Sequence, residues 1–195
     1  DRDRIALVPR DAAGLTVTLL GTIDRTRRVA ELVFEGTAPA EWIGGRDGVP
    51  GIADRVLAAG RIALAADILG ACERAIDLAV AYAKQREQFG RAIGSFQALQ
   101  HKLADVKVKL EYARPVVYKA AHSVATQSGA RAVDVSHAKL AAAEAASFAA
   151  RIALQVHGAI GYTWEQDLHL WMRRAWSLER DFGDAAFHLD RVSAF

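Results

Sequence analysis

Ile62, Ala65, Leu69, Cys72, Ile76, Ala79 and Ala83 recur at alternating steps of three and four residues. That rhythm puts them on one stripe of an α-helix, which must be buried against another element. Leu99, Leu103, Val106, Leu110, Ala113, Val117 and Ala120 repeat it in a second helix, where Pro115 is expected to introduce a kink. A third helix is read from about Ala130 to His157 after a break at Ser128-Gly129, with an alanine-rich face that permits close packing. Three long helices with short links make an antiparallel bundle. Shorter helices are expected around Glu165–Arg174 and Ala185–Val192. A hydrophobic content of 52% is enough to fill such a core.

Residues 1–45 carry a different pattern. Ile5 to Val8 is a short apolar run stopped by Pro9, Leu15 to Leu20 alternates with Thr16 and Thr18, and Val29 to Phe34 is a third candidate strand. Three strands are too few for an independent sandwich. They read as the end of a β-domain that begins upstream, followed from residue 46 to residue 195 by the helical bundle. The expected fold is therefore mainly α, preceded by closing strands.

Several classes of function are excluded at this level. The net charge of +2 is spread along the chain, so no nucleic-acid surface is expected. The run from Ile62 to Ala83 is interrupted by Asp67, Glu73, Arg74 and Asp77 and cannot span a membrane. The first residues, Asp1-Arg2-Asp3-Arg4, show no signal-peptide pattern, and a cytoplasmic location is the default. Cys72 is the single cysteine, which rules out an internal disulfide or a paired thiol motif. The histidines (His101, His122, His137, His157, His169 and His188) form no metal-binding pair, so no metal site is expected. Trp164, Trp171 and Trp176 read as packing residues.

Two segments hold the candidate chemistry. Arg86 to Gln97 links the first two helices, with Ser95 as the expected N-cap of the second. Taken alone it is a helix–helix turn, yet an Arg, a Phe and a Gln gathered there also suit an anionic, aromatic ligand. Gln155-Val156-His157-Gly158-Ala159-Ile160-Gly161-Tyr162 leaves the third helix, and its glycines allow close backbone approach. Taken alone it is a helix-terminating turn.

In this order the two segments resemble the paired signatures of the acyl-CoA dehydrogenases. The first runs Tyr82-x3-Arg86-x2-Phe89-Gly90-x2-Ile93-x2-Phe96-Gln97 and continues to Leu103-Ala104-Asp105. The second is Gln155-x2-Gly158-x2-Gly161-Tyr162, followed by Met172-Arg173-Arg174-Ala175. Asp24-x2-Arg27 through Phe34-Glu35 and Pro39 is similar to the family's β-domain exit.

The resemblance implies the C-terminal half of a subunit whose last, four-helix domain clamps FAD. It places Arg86 on the pyrophosphate and Phe89 near the adenosine, with Gln88, Ile93, Phe96 and Gln97 lining the same surface and Gln155, Val156, Gly158 and Ala159 closing it. It also implies an acyl-CoA substrate, a homo- or hetero-tetramer of related subunits, and electron-transfer flavoprotein as the electron acceptor. Arg61 matches a substrate-side arginine.

The chain departs from the family pattern at the catalytic base. Phe182 stands where many members carry glutamate, and Gly60, just before Arg61, stands where a smaller branch carries it. Three readings stay open: a base-lacking partner in a hetero-oligomer, a catalytic homotetramer with Asp181 (or Asp184) as a displaced base, and a non-enzymatic flavoprotein. Base-lacking subunits of this type resemble bacterial heteromeric dehydrogenases that act on bulky thioesters such as steroid side chains.

Overall fold

The computed structural model describes residues 4–44 and 48–194. The chain folds as two compact units, Asp1–Leu57 and Ala58–Phe195. The sequence-based boundary falls at residues 45–46, which lie outside the described residues.

The first unit is built on two antiparallel strand pairs. Strand β1 (Ile5–Leu7) pairs with β4 (Glu41–Ile43), and β2 (Leu15–Leu20) pairs with β3 (Val29–Phe34). The β2 and β3 spans match the alternation in the sequence, whereas β4 has no such signal. The three residues Glu41–Ile43 are too few to show a period. Asp24 is 1% exposed in the β2–β3 connection, where its carboxylate accepts from the amide and hydroxyl of Thr26. Leu19, Leu32 and Phe34 are exposed.

The second unit is helical. Its elements are α1 (Ile52–Gln85, which begins in the first unit), α2 (Gln97–Ala125), α3 (Arg131–His157), α4 (Leu168–Arg180) and α5 (Ala185–Ser193). The stripe residues Ala65, Leu69, Cys72 and Ile76 of α1 meet Val106, Leu110, Ala113 and Val117 of α2 and Ala138, Ala142, Ala145 and Ala149 of α3 in one buried cluster. Pro115 sits inside α2, which is continuous through it. The Sγ of Cys72 donates to the carbonyl of Ala145 at 3.6 Å, and burial pushes the thiol up to about 12, so it is inert at neutral pH. A second cluster joins Ala75, Ala79 and Ala83 of α1 to Ala150, Ala153 and Val156 of α3 and to Leu168 and Met172 of α4. It underlies the turn that follows α1 and the one that follows α3. No helix among the described residues is long and apolar enough to cross a membrane.

Candidate functional site

The link between α1 and α2 is a small hairpin, finer than a plain helix–helix turn. Strands β5 (Glu87–Gln88) and β6 (Arg91–Ala92) pair around Phe89 and Gly90, whose φ angles are 54° and 76°. Two successive positive φ values are the mark of a type I′ turn, which glycine tolerates and phenylalanine resists. The hairpin is anchored to the end of α1, since Arg86 N–H donates to Tyr82 and Ile93 N–H donates to Arg86. A short 3₁₀ turn, Ile93–Ser95, then leads into α2. Ser95 does not cap that helix. Its hydroxyl donates back to the carbonyl of Ala92, and the capping position belongs to Phe96, which offers no side-chain oxygen.

At the other end of the second cluster, α3 stops at Gly158. This residue has φ 63° and ψ −139°, a conformation open only to glycine, and it turns the chain into a 3₁₀ segment, Gly158–Tyr162. The hairpin and this segment face each other across a cavity of about 440 Å³. Six of the ten anticipated ligand-binding residues line it: Arg86, Gln88, Ile93, Val156, Gly158 and Ala159. Tyr82, His157 and Ile160 complete the wall, three residues that the sequence-based site does not include.

Four anticipated residues lie outside that lining. Phe89 is 92% exposed at the hairpin tip, edge-on to Phe96 with ring centroids 6.2 Å apart, and the Arg91 guanidinium covers Phe96 at 4.1 Å. Gln97 and Gln155 are exposed on the first and last turns of their helices. The lining mixes apolar side chains with one guanidinium and a few polar groups, and among the described residues it contains no carboxylate. Such a surface accepts a ligand that is anionic at one end and flat or apolar at the other.

A second constellation surrounds the α4–α5 turn. A side chain begun at Gly60 would start 3.6 Å from the Phe182 ring, so the two positions where the family resemblance implies a carboxylate face each other. Phe182 itself has φ 58°. Arg61 is buried on α1 and its Nε donates to the Phe182 carbonyl at 3.0 Å. Lys139, 1% exposed on α3, donates from Nζ to the carbonyls of Leu178 and Glu179 at 2.8 Å each. Burial lowers its pKa to about 8. Asp184 accepts from the Phe187 amide at 2.9 Å and caps α5, while Asp181 ends α4. His188 is 1% exposed, with Nδ1 3.2 Å from the Ser136 hydroxyl and, among the described residues, no hydrogen-bond partner for Nε2. Burial, followed by the nearby cations Lys139, Arg61 and Arg191, pushes its pKa down to about 4.

Trp171 and Trp176 pack on the core as expected, but Trp164 is exposed beneath the Arg173 guanidinium at 4.5 Å. Among the described residues, no group of three or more His, Cys, Asp or Glu side chains could hold a metal ion.

Comparison with known proteins adds four findings. Residues 46–194 match the family model described as acyl-CoA dehydrogenase, C-terminal domain. Acyl-CoA dehydrogenase IpdE2 of Mycobacterium tuberculosis is 46% identical over 156 residues, which is 80% of this chain and 44% of that protein. Butyryl-CoA dehydrogenase from Megasphaera elsdenii superposes with a TM-score of 0.88 at 33% identity, covering 96% of this chain and 50% of the other. A chain of the ChsE4-ChsE5 complex from Mycobacterium tuberculosis gives a TM-score of 0.88 at 31% identity, covering 97% and 50%. The chain thus spans about half the length of the relatives it matches.

Proposed function

Because the chain belongs to the acyl-CoA dehydrogenase family, we propose that its hairpin cavity grips FAD within an enzyme that desaturates an acyl-CoA thioester. The observation that supports this most is Arg86 set in a carboxylate-free, partly apolar cavity between the two signature segments. The residues suit such a group. The guanidinium can meet a pyrophosphate with paired hydrogen bonds. Gln88 offers a donor and an acceptor beside it, Ile93 and Val156 supply an apolar wall, and the side-chain-free Gly158 lets backbone approach closely. Phe89 and Phe96, at the exposed rim, supply flat faces for the adenosine portion. When bound, FAD supplies the acceptor for the β-hydride of the thioester, with electron-transfer flavoprotein as the onward acceptor.

The chain's own contribution is then grip and position, without a base. Gly60 and Phe182 occupy the two expected base positions and pack toward each other. Asp184 is committed to capping α5. Arg61, the anticipated substrate-side residue, is buried against the Phe182 carbonyl and holds that turn in place. This arrangement favours a partner subunit in a hetero-oligomer whose other member brings the carboxylate, and the fold's likeness to a chain of the ChsE4-ChsE5 complex is consistent with that. In this reading the β-domain ends near residue 45, and the assembly works in the cytoplasm.

The test is to purify the full-length chain alone and with its natural partner, and to follow bleaching of the flavin by acyl-CoA. Bleaching is expected only for the co-purified assembly. Bleaching by the chain alone, abolished in Asp181→Asn, would establish the displaced-base reading instead. In the same preparations Arg86→Ala is expected to weaken FAD retention by about 10- to 100-fold, the usual worth of a charge-assisted hydrogen bond. Unchanged flavin content would remove the cavity from consideration.

A further inference from the structure

Tyr82 and His157 stand side by side in the cavity wall and have no part in the sequence-based site. Their rings stack with centroids 4.6 Å apart and planes 21° from parallel. His157 is buried to 5% exposure on the last turn of α3. Its Nδ1 lies 2.8 Å from the carbonyl of Ala153. A carbonyl can only accept, so Nδ1 carries the proton in that bond. Where the ring is neutral, this bond fixes it as one tautomer, with Nε2 as the acceptor. Stacking on Tyr82 fixes the ring plane as well. A rotation that presented Nδ1 to the cavity would break both contacts.

We infer that His157 is a ligand-binding residue whose Nε2 accepts a hydrogen bond from a hydroxyl group of the molecule held in the cavity. This rests on the reading of the cavity as a flavin site. The division of labour follows from charge: Arg86 takes the anionic part, whereas a neutral acceptor such as Nε2 gains nothing from a phosphate oxygen and requires a donor. In a flavin nucleotide the hydroxyl donors belong to the ribityl chain and to the adenosine ribose.

The test uses the full-length apo chain in its native assembly, titrated by calorimetry with FAD and with two analogues. One analogue lacks a hydroxyl on the adenosine ribose, and the other lacks hydroxyls on the ribityl chain. One analogue is expected to bind the unaltered protein about tenfold more weakly than FAD, and the identity of that analogue names the contacted portion. In His157→Phe, which keeps a flat ring against Tyr82, FAD is expected to bind about tenfold more weakly and the analogue to lose nothing further. The inference is overturned if both analogues bind the unaltered protein as FAD does, or if His157→Phe keeps full discrimination between FAD and the analogue. Should His157→Phe fail to fold, the analogues on the unaltered protein decide alone. If FAD does not bind the unaltered protein, the flavin reading and this inference fall together. If FAD binds and only the hydroxyl effects are missing, the flavin reading stands and the inference does not.

Discussion

Replacing Lys139 with alanine is expected to destabilise the helical unit by about 3–5 kcal/mol, read as a lowered denaturant midpoint with an unchanged slope. Two losses add. Truncating a long buried side chain leaves a cavity that neighbouring helices close only in part, at about 2–5 kcal/mol for chains of similar size. The carbonyls of Leu178 and Glu179 also lose their donor, and an unsatisfied buried acceptor costs about 1–3 kcal/mol. Lys139→Met keeps the volume and isolates the charge. Because burial lowers the native pKa to about 8 from an ordinary 10.5, the unfolded chain keeps a proton across that interval that the folded chain has released. Unfolding there takes up a proton, so the stability of the unaltered protein rises with pH between about 8 and 10.5. Below pH 8 the folded protein carries the whole cost of burying the ammonium. Measured at about pH 7 and about pH 10, the gap between the unaltered protein and Lys139→Met should shift toward the unaltered protein at the higher pH. A gap that stays constant would mean that the amine is not confined as described.

The second large effect lies on the acid side and belongs to His188. Its pKa is pushed down to about 4 from 6.5, so the unfolded chain binds a proton between those values and the folded chain does not. The contribution is fully present above pH 6.5 and is lost as pH falls toward 4, amounting to about 3 kcal/mol by the usual conversion of a pKa shift. His188→Leu should be flatter over this interval, and the gap between the two pH profiles should change between about 6.5 and 4 and level off below that. Identical acid limbs would exclude His188 as the cause. Lys139 and Arg61 both disfavour the charged imidazole. Lys139→Met should therefore ease that repulsion and shrink the loss of stability in acid, and the two substitutions should not be additive.

Much of this fold is written in spacing. The steps of three and four residues along α1 and α2 are the contacts that fill the main core, because a long amphipathic helix leaves a regular trace. The segments that escape are those too short to carry a period. Strand β4 has three residues, and β5 and β6 have two each. The Phe89–Gly90 turn is further hidden by a phenylalanine in a conformation that normally announces itself as Asn or Gly.

The cavity is legible in part. Residues carried by the two signatures gather in its wall, while Tyr82 and His157, present in those segments, are not assigned to the site because a tyrosine and a histidine near helix ends look ordinary until their rings are seen to stack. Lys139 leaves a readable signal. Ala132, Val135, Lys139, Ala142, Ala146, Ala149 and Ala153 keep the same three-and-four rhythm, and a lone lysine in an otherwise apolar stripe must either snorkel out or find acceptors inside. It finds the last carbonyls of α4. Nothing local to His188 signals its burial, which depends on how α5 docks onto α3.

The two walls of the cavity come from opposite ends of a long stretch of chain, one after α1 and the other after α3, and unfolding pulls them apart. A molecule seated between them binds the folded protein alone, so its concentration enters the folding equilibrium directly. At about a hundred times its Kd it adds about 2.7 kcal/mol, which is comparable with the effect of either Lys139 or His188. In a cell that degrades unfolded chains, the steady amount of this protein would then track the supply of whatever molecule fills that cavity. Scarcity of that molecule would thin the protein out before any chemistry was asked of it.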